Sequence, residues 1–364
     1  MNSKLYFFRN FWALSLLLAI FFTSCTDDDG VDPTPPQAEE GYFIVNEGGF
    51  GNANTTLSYY DRQNDTILNN IFQNANNRPL GDQTQSMTVF DERGFIVVQN
   101  SAKIEVINRD DFTSLATIGP EEGVTSPRYF VGVSPSKGYV SDWGADGVSG
   151  TVKVIDLNSY EVTATILVGQ GANHLILHDN DVYVTNNGGY GYDSTVMVID
   201  TQSDSVVDTI TVGDNPGSII VDANGDLWVA GSGRVVYNSD YTINEAESTP
   251  GFLARLEDGK VALKLEAEQI SAGPADLMVD PAGQNLIFYY AGGIYRINIA
   301  DASLPASPLI PGNFYGLGID PVRGEILTGT APDFSNDGTF SRYSPSGQLI
   351  ETYTVGIAPN GFAF

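Results

Sequence analysis

The sequence predicts an all-β fold, a seven-bladed β-propeller whose first blade is completed by the C-terminal strand. Three observations predict it. A four-strand unit recurs seven times, turn residues hold fixed places within each unit, and the opening strand missing from the first unit stands at the end of the chain. From residue 41 onward, aromatic and β-branched segments alternate with Gly, Asp, Asn and Pro clusters, and no amphipathic helix interrupts them.

The repeat is plainest in the middle of the chain. Gly138-Tyr-Val-Ser-Asp142, Gly150-Thr-Val-Lys-Val-Ile-Asp156 and Glu161-Val-Thr-Ala-Thr-Ile-Leu-Val-Gly169 are echoed by Asp181-Val-Tyr-Val-Thr-Asn186, Ser194-Thr-Val-Met-Val-Ile-Asp200 and Ser205-Val-Val-Asp-Thr-Ile-Thr-Val-Gly213. Equivalent strand centres recur at Val45, Val98, Val140, Val184, Val229, Tyr289 and Leu327. A period of about 40 to 50 residues with four strands in each is the pattern of propeller blades. Asp-Gly and Asn-Gly steps at 146–147, 224–225, 258–259, 337–338 and 360–361 read as turns, as do Ser-Pro at 134–135 and Asp-Pro at 280–281 and 320–321. The first unit begins directly at Gly41-Tyr-Phe-Ile-Val45. The chain ends in Ala358-Pro-Asn-Gly-Phe-Ala-Phe364, which resembles the opening strand Asn215-Pro-Gly-Ser-Ile-Ile-Val221. Residues 359–364 are therefore expected to close the ring and pair an edge that would otherwise be exposed.

The N-terminal residues 1–24 read as a lipoprotein signal peptide. Lys4 and Arg9 precede an apolar run over 11–22 that is too short to favour a spanning helix. Cys25, the single cysteine, follows Ser24 at the end of that run, so Cys25 is the expected site of lipidation and no internal disulfide can form. Residues 25–40, rich in acid and proline, read as a solvated tether, and 41–364 as the propeller. The Asp-Asp-Asp run at 27–29 resembles the acidic signal that sends Bacteroidetes lipoproteins to the outer face of the outer membrane. The formal net charge of −28 argues against nucleic-acid and anionic-membrane partners, which leaves the lipid as the expected membrane contact.

Catalytic constellations are scarce. The two histidines, His174 and His178, fall at opposite ends of one predicted strand, too far apart to share a metal, and no nucleophile elbow or phosphate-binding loop occurs. No cofactor is expected. The many acids leave structural calcium open, with no EF-hand spacing to place it. The expectation is a binding protein and not an enzyme.

In a propeller, the loops into the innermost strands and the loops after the second strands meet on one face around the central channel. Here those loops are rich in amides and aromatics, a mixture suited to a large, polar, mostly uncharged ligand. The candidate ligand-binding residues are Gln85, Asn100, Arg128, Tyr129, Trp143, His174, Asn187, Tyr190, Tyr315 and Phe334.

The middle repeats, Val-Ile-Asp followed by Val-Val-x-Thr-Ile-x-Val-Gly-Asp-Asn-Pro, resemble YncE-like seven-bladed propellers. Asn46-Glu-Gly-Gly-Phe-Gly51, Leu57-Ser-Tyr-Tyr-Asp61, Leu80-Gly-Asp-Gln-Thr-Gln-Ser-Met87, Lys103-Ile-Glu-Val106 and Ser126-Pro-Arg-Tyr129 resemble Bacteroidetes surface lipoproteins of the BtuG type. That resemblance implies capture of cobalamin or another corrinoid outside the cell and hand-over to a TonB-dependent outer-membrane transporter. Two other functions stay open at this point. One is a surface interaction or adhesion propeller with no small ligand, and the other is a propeller hydrolase or lyase.

Overall fold

The computed structural model describes residues 41–364; the expected signal peptide, Cys25 and the tether lie outside the described residues. Twenty-eight strands form seven antiparallel four-stranded sheets, the blades of a propeller. The innermost strands, in ring order, are β28 (Pro359–Ala363), β4 (Thr84–Phe90), β8 (Pro127–Ser134), β12 (Ala172–His178), β16 (Pro216–Val221), β20 (Ala275–Val279) and β24 (Gly316–Ile319). The first blade runs β28, β1 (Gly41–Asn46), β2 (Thr56–Asp61) and β3 (Thr66–Leu68), so the last strand of the chain pairs with the first. Phe43 lies opposite Ala363, Ile44 opposite Phe362, and Val45 opposite Gly361, as the missing opening strand requires.

Why these segments form blades follows from burial. A strand packed between two neighbouring blades is apolar on both faces, and β1 is buried at every position. Outermost strands such as β11 (Glu161–Leu167) and β15 (Ser205–Thr211) keep most of their residues in water. The core is accordingly divided into seven apolar clusters, one at each interface between adjacent blades.

The Asp or Asn that ends the third strand of each of the first four blades now has a physical role. Asp61, Asn108 and Asp156 each accept backbone N–H bonds from residues two and three further on, and Asp200 accepts one from Ser203. The side chain thus closes the turn between the third and fourth strands. Asp280 and Asp320 do the same before the second strands of blades 6 and 7. Asp258 and Gly259 both have positive φ, as a two-residue hairpin turn demands. Two of the expected turns are not turns. Asp337-Gly338 opens strand β26 (Asp337–Tyr343), where Asp337 pairs with Ile357 inside blade 7, and Asn360-Gly361 lies inside β28, the strand that closes the ring. A short helix, α1 (Ile71–Asn76), also intervenes before β4 and buries Ile71 and Phe72 under the first blade.

The interface between blades 7 and 1 is the one where the chain's ends meet, and it is unlike the others. Tyr42, Tyr60, Phe340, Tyr353 and Phe362 pack as one aromatic group, with Phe340 stacked on Tyr353 at 5.6 Å. Arg342 lies over the Tyr60 ring and forms a two-pronged ion pair with Glu325, while its Nη1 reaches Asp65 of blade 1 at 2.7 Å. Arg62 of blade 1 reaches back to Asp320 of blade 7 at 2.8 Å. Replacing Arg342 with alanine removes the two-pronged partner of the buried Glu325 and leaves it only Arg323, at 4.0 Å. The expected loss is about 3–5 kcal/mol of folding stability, read as a lower urea midpoint with an unchanged slope.

Candidate functional site

The centre of the ring is a cavity of about 890 Å³. Its walls are built by a device that recurs from blade to blade. The innermost strands of six blades carry a β-bulge near their start: between Thr84 and Ser86, Pro127 and Phe130, Ala172 and Leu175, Pro216 and Ser218, Ala275 and Met278, and opposite Val45–Asn46 in the first blade. A bulge places an extra residue on one strand and re-aims its side chain. The residues so placed include Gln85, Arg128, Tyr129, Asn173, His174, Asp276 and Asn360, and all of them line the cavity. Left-handed residues prepare the turn into the channel: Gln83, Gly171, Asn215 and Ala358 have positive φ immediately before their strands.

Hydrogen bonds between neighbouring innermost strands hold this ring at its width. The Asn360 amide donates to the Thr84 and Gln85 carbonyls, and Ser86 Oγ donates to the Arg128 carbonyl at 2.7 Å. Asn173 Nδ2 donates to the Gly217 carbonyl at 2.8 Å, and Ser218 Oγ accepts from Leu277 N–H. The loops above are equally tight. A Cβ on Gly189 would collide with the Gly147 carbonyl, and one on Gly171 would collide with Gly189.

Of the ten candidate residues, Gln85, Arg128, Tyr129, His174, Asn187 and Tyr315 come together around the cavity. Gln85 Nε2 donates to Tyr129 Oη at 3.1 Å, and the Tyr129 and His174 rings meet at 4.6 Å. The other four stand behind or above this layer. Trp143 lies under the Arg128 guanidinium, 4.0 Å from its centre, and Tyr190 leans edge-on against Trp143. Phe334 packs edge-on against Tyr315, and Asn100 turns away to donate to Asp82. Glu47, Gln99, Asn173 and Asp276 also line the cavity; no sequence motif marks them, and only the bulges and the ring geometry aim them inward.

The channel's charges are held in unusual states. Burial raises the Glu47 carboxyl above its ordinary range; hydrogen bonds from Tyr315 Oη and Gln83 Nε2, with the nearby Arg128 charge, offset this only in part. Burial lowers His174 to about 4, so its imidazole is neutral at pH 7, and its Nδ1 has no hydrogen-bond partner. Asp276 is exposed to the channel, and desolvation by the ring around it pushes its carboxyl up to about 6. The channel walls limit how well water can solvate this charge. Among the described residues, no three His, Cys, Asp or Glu side chains come together as a metal site, and no helix is long and apolar enough to cross a membrane.

The fold and its central cavity define a seven-bladed β-propeller with a pocket in its ring. The chain belongs to the family DUF5074, a domain of unknown function, whose profile matches residues 40–355. Among solved structures it is similar to a quinonprotein alcohol dehydrogenase-like protein from Bacteroides thetaiotaomicron, at 14% identity and a TM-score of 0.61, covering 89% of this chain and 78% of that one. It is also similar to the hydrazine synthase of Kuenenia stuttgartiensis, at 14% identity and a TM-score of 0.57, covering 77% of this chain and 89% of that one. At such identity the likeness is one of fold. A comparison with curated proteins finds no match.

The Asp276 carboxyl yields a pH test. Its folded pKa, about 6, lies above the ordinary 3.8, so the folded state binds the proton more tightly than the unfolded chain. The cost of its charge is absent below about pH 4 and fully felt above about pH 6. Asp276→Asn should therefore raise the melting temperature at pH 7.5 and leave it unchanged at pH 3.5.

Proposed function

We propose that this propeller captures a large, polar nutrient ligand at the mouth of its central channel. The observation that carries the proposal is the cavity of about 890 Å³ lined by amide, aromatic and ionisable side chains on one rigid ring. Its size falls within the range of small-molecule sites, and its few polar groups converge as such sites require. Gln85, Asn187 and Asn360 would exchange hydrogen bonds with the ligand, Tyr129 and Tyr315 would supply apolar contact, and Arg128 would fix its orientation. In this reading the protein binds and does not catalyse.

The likeness of Asn46-Glu-Gly-Gly-Phe-Gly51 and Ser126-Pro-Arg-Tyr129 to BtuG-type lipoproteins supports cobalamin, or another corrinoid, as the ligand. It also supports display on the outer membrane through an acylated Cys25, with hand-over to a TonB-dependent transporter. Isothermal titration calorimetry with cyanocobalamin tests the ligand. Saturable heat at micromolar concentration is the expected result. No heat and no co-elution in gel filtration would reject cobalamin.

A second reading, docking of a protein partner, is favoured by the rim. Phe50, Tyr190, Tyr192, Tyr241 and Phe334 are exposed on the loops that follow the second strands of blades 1, 4, 5 and 7, all on the mouth side. Capture of a membrane partner that survives Arg128→Gln but is lost with Phe50→Ser and Tyr190→Ser would favour it.

A further inference from the structure

We propose that Arg128 forms an anion-binding subsite, so that the ligand held at the channel mouth carries a carboxylate or phosphate group docked on this guanidinium. The inference rests on the channel being a ligand site and adds the charge class of what it takes.

Arg128 is set apart from the other described arginines. Arg62, Arg78, Arg93, Arg255, Arg323 and Arg342 each have a carboxylate within ion-pair distance. Arg109, Arg234 and Arg296 donate to backbone carbonyls at exposed positions. Arg128 alone among them lines the channel, and no ion pair of the described residues includes it. Its Nη1 donates to Gln99 Oε1 and its Nε lies 3.4 Å from Asn173 Oδ1, both neutral acceptors, while Nη2 donates to no protein group.

The charge is placed with care for a group that has no counter-charge in contact. Trp143 supports one face of the guanidinium at 4.0 Å. Asn173 is itself tied to Gly217, and the Gln99 backbone N–H is tied to the Gln83 carbonyl at 2.8 Å, so the acceptors that aim Arg128 are themselves fixed. The nearest carboxyl by charge, Glu47, has both oxygens engaged, one by Gln83 and the other by Tyr315. Burial drives Glu47 and Asp276 toward their neutral forms, whereas an arginine keeps its proton in a protein. A guanidinium taken out of water without a partner is costly. A planar, pre-aimed fork recovers that cost when an anionic oxygen arrives, because charge-assisted bonds to carboxylate and phosphate are the strong ones.

Trp143 supplies the readout. The sequence has three tryptophans, and of the two in the ring Trp228 is fully buried between blades; an emission change on filling the channel that is lost in Trp143→Phe comes from Trp143 and not from Trp12 or Trp228. The full chain is titrated with inorganic phosphate and, separately, with acetate, up to about 50 mM at constant ionic strength. The expected result is a saturable emission change with at least one of them, and the tighter of the two names the group. Arg128→Gln is expected to abolish it. Arg128→Lys, which keeps the charge and loses the fork, is expected to weaken it at least ten-fold, and it guards against a folding defect in the glutamine variant. No saturable change in the unmodified protein with either anion, or undiminished binding in Arg128→Lys, overturns the proposal. The probes are independent of the nutrient. A protein that binds phosphate and ignores cyanocobalamin keeps this subsite and loses the corrinoid reading, and the converse result does the opposite.

Discussion

The pairing of β28 with β1 is the constraint on which the rest of the structure depends. A propeller whose ends do not meet has two open sheet edges and no defined channel. Here the last strand of the chain enters the first blade, and the adjoining interface is reinforced by stacked aromatics and by Arg342 and Arg62, whose ion pairs cross between blades 7 and 1. The same closing strand delivers Asn360 to the channel wall, where its amide bonds to the neighbouring blade. Closure and site construction are thus done by one segment.

Once the ring is closed, the channel's chemistry follows from where the chain enters each innermost strand. Bulges in six blades turn side chains inward at one level, and bonds between adjacent innermost strands fix their separation. The outside of the molecule is strongly acidic, with a formal net charge of −28. Inside, Glu47 and Asp276 are pushed toward neutrality, His174 is uncharged at pH 7, and Arg128 stays cationic on its tryptophan support. The channel therefore sets a lasting cation beside carboxyls that take up a proton more readily than those of the surface, and burial, which penalises charged forms unequally, is the cause.

Much of this was legible in the sequence because repeats expose their own logic. The four-strand period, most of the Asp-Gly, Asn-Gly and Asp-Pro turns and the orphan strand at 359–364 all follow from patterns of two, turn chemistry and edge pairing. What was not legible arises from tertiary geometry. Asp337-Gly338 has the signature of a turn and instead opens a strand, because Asp337 pairs with Ile357 at the end of the long outermost strand of blade 7. Glu47 and Asp276 sit in loops whose composition is ordinary, and only a bulge and a left-handed backbone at Asp276 aim the latter inward. The excursion over residues 232–251, with bridges at Arg234–Thr249 and Tyr237–Ile243, lengthens one blade's loop without disturbing the repeat, so the periodicity carries no sign of its shape. Trp143, Tyr190 and Phe334, singled out from loop position as ligand contacts, pack against lining residues or against one another, and only the folded ring brings those partners together.

Native-state hydrogen exchange tests the central claim, that a single closed ring holds the channel together. The backbone amides of Ile44 and Phe362 lie across the closing pair, and those of Ile219 and Val229 across an ordinary pair of blade 5. The account predicts that all four exchange only through global unfolding, with equal free energies of opening that respond equally to low urea. Exchange at Ile44 and Phe362 that is faster and insensitive to urea would show that the closing strand opens on its own, and would contradict it.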